Sequence, residues 1–196
     1  MGIILLDIGN VIVDVDFLRF CRSVARDRDS GPARIFDRYC ASELKNRFDR
    51  GLVAPFDYLG MIAGDSDTLN MPLRDLKTAW QDIFSPKPEA GEAVRQLGRQ
   101  HTLWIMSDTD PLHVTFLFNR CPELKLAARY WLSFEHGRLK RERESFLELL
   151  AASGRPAGEF ILIDDREDNC SCAESCGIRT LLFRNWPETL DRLKDF

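Results

Sequence analysis

Residues 1–16, MGIILLDIGNVIVDVD, set the architecture expected for this chain of 196 residues. The apolar run at residues 3–6 is short, rich in isoleucine and leucine, and followed by a turn signal, which predicts a buried strand. Asp7 then stands at the carboxyl end of that strand, with Gly9 two residues later. In open α/β sheets, ligands bind at this edge. Asp7 is therefore a candidate nucleophile or metal ligand, and a simple turn cap is its alternative role.

Two later apolar runs end in the same way. LWIM leads into Ser107 and Asp108, and FILI leads into Asp164 and Asp165. If the three strands are parallel neighbours, these polar side chains gather at one edge of one sheet. Such a convergence favours a shared active site. A serine after a strand is also a common helix N-cap, which is the alternative role for Ser107.

The apolar pattern divides the chain into two kinds of structure. Residues 17–84 follow helical spacing, with one helix expected over residues 33–48, and contain no predicted strand; residues 85–88 form a hinge. Elsewhere strands alternate with helices, which is typical of a parallel sheet covered by helices on both faces. We therefore predict an α/β fold: a three-layer α/β/α Rossmann-like core (residues 1–16 and 85–196) with a helical cap (residues 17–84) inserted after the first strand.

Composition limits the classes of partner. The apolar fraction of 44% and charged fraction of 30% are ordinary for a globular domain. The net charge of -4 argues against nucleic acid, which needs a basic surface. No apolar run approaches the roughly 20 residues of a membrane span, and the first run is too short for a signal peptide. We therefore predict a cytoplasmic protein that binds neither nucleic acid nor a membrane. The oligomeric state stays open.

The cysteine pattern does not predict a metal site. Cys170, Cys172 and Cys176 are clustered, but they lack CxxC spacing and have no histidine nearby. We interpret them as structural residues on a helix that packs against the sheet, with a redox or metal role as the alternative.

The motifs taken in order resemble the haloacid dehalogenase (HAD) superfamily. They are DxGNV after an apolar run, a run ending in serine, a lysine in the loop before a helix, and a run ending in two aspartates. The chain is most similar to the phosphatases with DxGNVxxD, in the glucose-1-phosphate phosphatase-like and epoxide hydrolase N-domain-like branch. The resemblance covers almost the whole chain. It implies a hydrolase of the phosphatase type with a helical C1-type cap.

The resemblance implies a magnesium site and a nucleophile at the first and last motifs. Asp7 would attack phosphorus and form an aspartyl-phosphate. The backbone carbonyl of Gly9 and the carboxylates of Asp164 and Asp165 would join Asp7 in binding Mg²⁺, which prefers oxygen ligands. Independently of the family, two adjacent carboxylates repel each other, and a bound cation relieves that repulsion.

The middle motifs would bind the phosphate. The resemblance implies that Ser107 and the backbone amides of Asp108 and Thr109 donate hydrogen bonds to it. Lys140 would neutralise the nucleophile and the transferring group. Because Lys140 lies in the charge run RLKRERE, a solvated loop is the alternative for it. Asn169 would orient the loop that carries the paired aspartates.

Three departures from the family pattern bear on activity. Gly9 replaces a second aspartate that usually acts as general acid and base, a contribution of roughly 10²–10⁴-fold. Arg141 replaces the proline that usually follows the lysine, and Asp108 replaces an asparagine. Asp14 is the nearest other carboxylate, and we expect it at the cap hinge.

The predicted function is Mg²⁺-dependent hydrolysis of a small phosphate ester, with a sugar phosphate as one candidate. One alternative is a 2-haloacid dehalogenase, in which Asp7 attacks carbon without a metal and the second carboxylate after the third strand has no purpose. The other is a weak or inactive relative that acts as a binding module. In the cap, the candidates to face the substrate are Arg47, Arg50 and Trp80, and a plain surface or core position is the equal alternative for each.

Overall fold

The computed structural model describes residues 2–195; Met1 and Phe196, the outermost residues of the predicted core, lie outside them. The strands are β1 (Ile3–Leu6), β2 (Val13–Val15), β3 (Phe84–Pro86), β4 (Thr102–Ser107), β5 (Arg129–Leu132), β6 (Phe160–Asp164) and β7 (Arg179–Leu182). The α-helices are α1 (Phe17–Val24), α2 (Gly31–Ile35), α3 (Glu43–Asp49), α4 (Pro55–Ala63), α5 (Leu73–Gln81), α6 (Ala90–Gln100), α7 (Pro111–Arg120), α8 (Ser133–His136), α9 (Arg143–Ser153), α10 (Glu167–Ser175) and α11 (Trp186–Arg192). Single turns of other helix types are Phe36–Cys40 (π) and Pro122–Leu126, Ala157–Glu159 and Leu193–Asp195 (3₁₀). Within residues 2–195, no helix is both long and apolar enough to cross a membrane.

The larger sheet is parallel and has β1 at its centre. Its strand order is β5-β4-β1-β6-β7, and Leu6 of β1 is in register with Ile105 of β4 and Ile163 of β6. The three strands that carry the predicted site motifs are therefore adjacent. Because they run in the same direction, the residues after each of them meet at one edge.

Helices cover both faces of this sheet. Alternate residues of a strand point to opposite sides. Accordingly, Ile4 joins a cluster with residues of α6, α7 and α11, whereas Leu5 joins a second cluster with Phe146 of α9 and Ala173 of α10. This arrangement confirms the predicted α/β fold with a parallel sheet between two helical layers.

We call helices α1 to α5 the insert helices; they pack around a hydrophobic cluster of their own. Phe20, Phe48, Tyr58 and Trp80 are fully buried there, and Leu112 of α7 joins them from the core. The sequence pattern predicted one helix over residues 33–48, and that prediction is wrong. Helix α2 ends earlier, a π turn follows, and α3 begins afresh because the Ser42 hydroxyl caps it by accepting the Lys45 N–H at 3.2 Å.

A two-stranded antiparallel ribbon joins the insert helices to the core. Strands β2 and β3 pair with Asp14 opposite Ser85, and the Asp14 carboxylate contacts Lys87 Nζ at 2.5 Å. The sequence analysis predicted a hinge over residues 85–88 and no strand there, so β3 was missed. The three residues of β3 include a proline and do not alternate between apolar and polar side chains. Such alternation is the local pattern that would have indicated an exposed strand.

Candidate active site

One cavity of about 580 Å³ lies between the carboxyl edge of the sheet and the insert helices. Of the residues predicted to bind the metal ion or the phosphate, Asp164 alone does not line it, and that side chain is fully buried. The predicted residues that line the cavity are Asp7, Gly9, Ser107, Asp108, Thr109, Lys140, Asp165 and Asn169. The strand order therefore brings together residues that lie far apart in the sequence.

Three carboxylates form the acidic centre of this edge. Asp7, Asp164 and Asp165 each offer an oxygen within 4.8 Å of the other two. Carboxylate oxygens of this number and spacing suit a hard divalent cation. The donor set thus fits a metal ion of the Mg²⁺ type.

Lys140 is the cation between two of these carboxylates. Its Nζ lies 2.7 Å from Asp7 Oδ2 and 2.5 Å from Asp164 Oδ2, and the residue is only 2% exposed. Burial by itself lowers the pKa of Lys140, but the charges of Asp7 and Asp164 raise it above its ordinary value. Lys140 is therefore charged and enclosed, in contrast to the solvated loop that its sequence context suggested. One lysine charge against three carboxylates leaves negative charge that a divalent cation can balance.

In the absence of a bound metal ion, the environment of Asp7 disfavours the ionised form of its carboxyl group. Burial raises the pKa of Asp7 from 3.8 to about 7; Lys140 opposes the rise and Asp164 adds to it. The Asp7 Oδ1 atom accepts the N–H of Ile8 at 2.7 Å. Asp7 is therefore held in one orientation by a backbone amide on one oxygen and an ammonium on the other.

Asp164 acts as the anchor of its loop. Its Oδ1 accepts the backbone N–H of Arg166 at 3.0 Å and the side-chain amide of Asn169 at 3.0 Å. Its other oxygen accepts from Lys140. Asn169 thus makes the contact expected of a residue that orients this loop, and Asp165 rather than Asp164 faces the cavity.

Two hydrogen bonds bear on the roles expected for the serine motif: one removes the helix-cap alternative for Ser107, and the other differs from the expected role of Thr109. The N-cap of α7 is Asp110, which accepts the N–H of Leu112 at 2.9 Å, so Ser107 does not cap that helix. The Thr109 N–H donates to Ser133 Oγ at 2.9 Å, so it is not available for the phosphate contact that the resemblance implied. Ser107 lines the cavity and its hydroxyl does not cap a helix, so Ser107 is a stronger candidate than the Thr109 N–H for binding an anion.

The turn after β1 holds a residue that the sequence analysis did not assign. Asn10 has a left-handed backbone (φ 54°), donates from Nδ2 to Asp165 Oδ2 at 2.9 Å, and accepts the Val15 N–H at 3.2 Å. Asparagine tolerates this conformation better than most residues, which is the signal that could have found it. At Gly9, a Cβ atom would lie 3.3 Å from Val15 Cγ2, so a side chain there would crowd the ribbon.

The insert helices supply the opposite wall of the cavity. Helix α3 contributes Lys45, Asn46 and Asp49, none of which the sequence analysis singled out. The residues proposed instead do not line the cavity. Trp80 is fully buried among aromatic rings, Arg50 pairs with Glu142, and Arg47 is exposed. Helical spacing alone could not show which face of α3 meets the core.

No family model matches the chain. Among solved structures, a HAD family enzyme from Bacteroides thetaiotaomicron superposes with a TM-score of 0.81 at 20% identity, over 97% of this chain and 98% of that one. Another structure of that enzyme is a complex with magnesium and inorganic phosphate (TM-score 0.79, 18% identity, 96% and 98% covered).

Two further solved structures extend the comparison. A HAD-like family hydrolase from Porphyromonas gingivalis gives a TM-score of 0.74 at 18% identity, with 98% and 97% covered. The L-2-haloacid dehalogenase from Xanthobacter autotrophicus gives 0.64 at 15% identity, with 92% and 76% covered. The structural neighbours of this chain are therefore HAD-family enzymes, and the chain has their fold.

Proposed function

We propose that this protein is a Mg²⁺-dependent phosphomonoester hydrolase that forms an aspartyl-phosphate at Asp7. The observation that carries the proposal is the placement of Asp7 in one cavity with Asp165 and Lys140, with three carboxylate oxygens within 4.8 Å. The complex of a structural neighbour with magnesium and inorganic phosphate supports the same chemistry.

Asp7 is the group that attacks. One of its carboxylate oxygens forms a bond to phosphorus while the bond from phosphorus to the ester oxygen breaks. Lys140, 2.7 Å from Asp7 Oδ2, neutralises charge on the nucleophile and on the transferring group. The Ser107 hydroxyl donates to a phosphate oxygen. Water then hydrolyses the aspartyl-phosphate and regenerates the Asp7 carboxylate.

The leaving group receives its proton from water. The position two residues after the nucleophile is Gly9, which has no side chain to act as general acid. We therefore expect faster turnover for esters whose leaving group needs little protonation, such as p-nitrophenyl phosphate, than for simple alkyl phosphates.

Asp7, Asp165 and the backbone carbonyl of Gly9 would hold the Mg²⁺, with Asp164 beside them. The bound cation would offset the repulsion between the Asp7 carboxylate and the phosphate dianion. Asn10 keeps Asp165 turned toward the cavity through its 2.9 Å hydrogen bond, and Asn169 keeps Asp164 in place.

Attack of Asp7 on carbon, as in a 2-haloacid dehalogenase, is the other chemistry compatible with this fold. A dehalogenase is among the structural neighbours. Asp165, however, is directed into the cavity by Asn10, and a metal-free dehalogenase gives that carboxylate no role. The acidic centre therefore favours phosphoryl transfer. A binding module without turnover is the third candidate.

Phosphate release from a panel of phosphomonoesters tests the proposal. The assay is run with MgCl₂ and with chelator, on the wild type and on Asp7→Asn, and circular dichroism checks that both are folded. We expect release that needs Mg²⁺ and is abolished in Asp7→Asn. Intact-mass analysis after a short incubation should detect one added phosphoryl group on the wild type only.

The same preparation distinguishes the alternatives. Halide release from 2-chloropropionate without metal would establish the dehalogenase chemistry instead. Folded wild-type protein that releases neither phosphate nor halide would exclude both hydrolase functions and favour a binding module.

A further inference from the structure

Helix α3 places an ion pair in the wall of the cavity that faces the acidic centre. Lys45 Nζ donates a close hydrogen bond to Asp49 Oδ1, and both residues line the cavity. They are 6% and 8% exposed. Replacing a buried ion pair by apolar residues is often neutral or stabilising, so stability alone does not account for this one. Its place in the cavity wall suggests a role toward the ligand.

The Lys45 ammonium has hydrogen-bonding capacity left over. An ammonium carries three N–H donors, and among residues 2–195 only Asp49 accepts a hydrogen bond from it. Asp110 Oδ2 lies 4.0 Å away, which is an ionic contact beyond hydrogen-bonding distance. The rings of Phe17 and Trp80 pack near the ammonium at 5.6 and 5.8 Å from their centroids, and they accept no conventional hydrogen bond. At least one N–H can therefore be donated to a ligand.

The Asp49 carboxylate likewise has an oxygen to offer. Lys45 occupies Oδ1, and the Asp49 side chain keeps 12% of its surface exposed. A carboxylate that accepts one hydrogen bond can accept others from a hydroxyl group. The pair thus presents a donor and an acceptor next to each other.

The charges of the pair select among ligands. A negatively charged leaving group would meet the Asp49 carboxylate, and a positively charged one would meet the Lys45 ammonium. An apolar leaving group would leave the remaining N–H donors of Lys45 and the second oxygen of Asp49 buried without a hydrogen-bond partner, which costs free energy. A neutral group with neighbouring hydroxyls satisfies both, because a hydroxyl can donate to Asp49 while another accepts from Lys45.

The rest of the wall fits such a group. Phe17, Phe36 and Phe84 line the same cavity as the pair, and Asn46 adds a further polar side chain. Aromatic faces pack well against the C–H groups of a carbon skeleton whose hydroxyls point elsewhere. The wall therefore combines an apolar surface with one edge that can hydrogen bond.

We infer that Lys45 and Asp49 are the specificity-determining residues for the leaving group, and that they recognise neighbouring hydroxyl groups on a neutral leaving group. This inference rests on the proposed phosphatase function. It assigns the acidic centre to the phosphate and helix α3 to the other half of the substrate.

Matched pairs of esters test the inference. The first pair is glycerol 1-phosphate against propyl phosphate, and the second is a hexose 6-phosphate against hexyl phosphate; p-nitrophenyl phosphate reports phosphate chemistry alone. The variants are Lys45→Met, Lys45→Met/Asp49→Leu and the exposed control Lys125→Met. Methionine retains the packing against Phe17 and Trp80. The double variant removes the whole pair, which is tolerated better than leaving one charge unpaired.

We expect the wild type to prefer the hydroxylated member of a pair in kcat/KM by about 10-fold or more, because hydrogen bonds to charged groups are strong. Both pocket variants should reduce that ratio toward one, and Lys125→Met should leave it intact. If the pair had a purely structural role, the variants would lower kcat/KM equally for both esters of a pair and leave the ratio unchanged. That result would overturn the inference. The inference is also overturned, and the proposed function stands, if the wild type hydrolyses p-nitrophenyl phosphate but prefers neither ester of a matched pair. A folded wild type that hydrolyses no ester would overturn both.

Discussion

The carboxylate of Asp108 accepts a hydrogen bond from the backbone N–H of Lys140, with 2.9 Å between Oδ1 and N. This bond ties the end of β4 to the loop before α9. Arg141 stands in that loop where the family pattern has a proline, which would restrict the backbone beside the lysine. Two departures from the pattern are thus neighbours in space, and we interpret the Asp108 hydrogen bond as a replacement for the rigidity of the missing proline.

Asp108 should therefore position Lys140. We expect Asp108→Ala to lower kcat by about 10-fold, since the loss of a hydrogen bond to a charged acceptor lets the loop relax. Asp108→Asn keeps an acceptor and removes a negative charge near the phosphate, so it should retain kcat and lower KM. Steady-state kinetics with p-nitrophenyl phosphate measure both. Equal kinetics for the two variants would contradict the positioning role.

Lys140 should hold the acidic centre together when no metal is bound. In Lys140→Met the buried carboxylates of Asp7 and Asp164 lose their cation, and breaking a buried pair costs about 3–5 kcal/mol. We expect a lower Tm without metal and a loss of activity. Added Mg²⁺ should raise the Tm of the variant more than that of the wild type, because the ion supplies positive charge to the same carboxylates.

Thermal denaturation with MgCl₂ and with chelator checks this prediction. The exposed Lys125→Met serves as the matched lysine control. A metal-induced rise in Tm that is equal in Lys140→Met and the wild type would show that Lys140 and the metal do not act on the same carboxylates.

Asn10 should tune metal affinity through Asp165. Asn10→Gly keeps the left-handed backbone and removes both side-chain hydrogen bonds, so we expect Mg²⁺ affinity to fall by about 10–100-fold, as for other residues that orient a ligand. Asn10→Ala should show the same loss and be destabilised by a further ~1 kcal/mol, because alanine disfavours φ 54°. Titration calorimetry and urea unfolding separate the two effects. Unchanged affinity in Asn10→Gly would mean that Asp165 needs no support.

Asp110 should make the free energy of unfolding depend on pH in acidic solution. Burial alone would raise its pKa, but His113 and Lys45 hold the pKa lowered from 3.8 to about 2. A lowered carboxyl pKa stabilises the folded state above the unfolded pKa, and that contribution is lost as the pH falls from about 4 to about 2. The contribution is on the order of 2 kcal/mol. In Asp110→Asn the free energy of unfolding should vary less over this window.

Urea unfolding at pH values across that window, on Asp110→Asn and the wild type, measures the difference in slope. Asp110→Asn also loses contacts to Trp80 and His113, so its stability at neutral pH will be lower as well. Only the slope bears on the prediction, and equal slopes would show that Asp110 does not titrate in this window.

Local patterns in the sequence predicted much of the fold. Short apolar runs ending in Asp7, Ser107 and Asp164 predicted three parallel strands, and the structure confirms them as neighbours. The helical segment 17–84 was predicted from spacing, but its π turn and the pairing of β3 were not. Those features depend on the Ser42 cap and on contact with β2, which no apolar period encodes.

The sequence by itself determined which groups could do chemistry, because residue type and position after a strand are local properties. Asp7 and Asp165 were named from their positions after predicted strands, and Lys140 from the family resemblance. Only the tertiary structure decided where these groups lie: Lys140 is enclosed between carboxylates, Asp108 accepts the Lys140 backbone N–H, and Lys45 and Asp49 line the same cavity. Those outcomes follow from the packing of separate elements and from burial, which sets the strength of each charge interaction. Neither can be obtained from spacing along the chain.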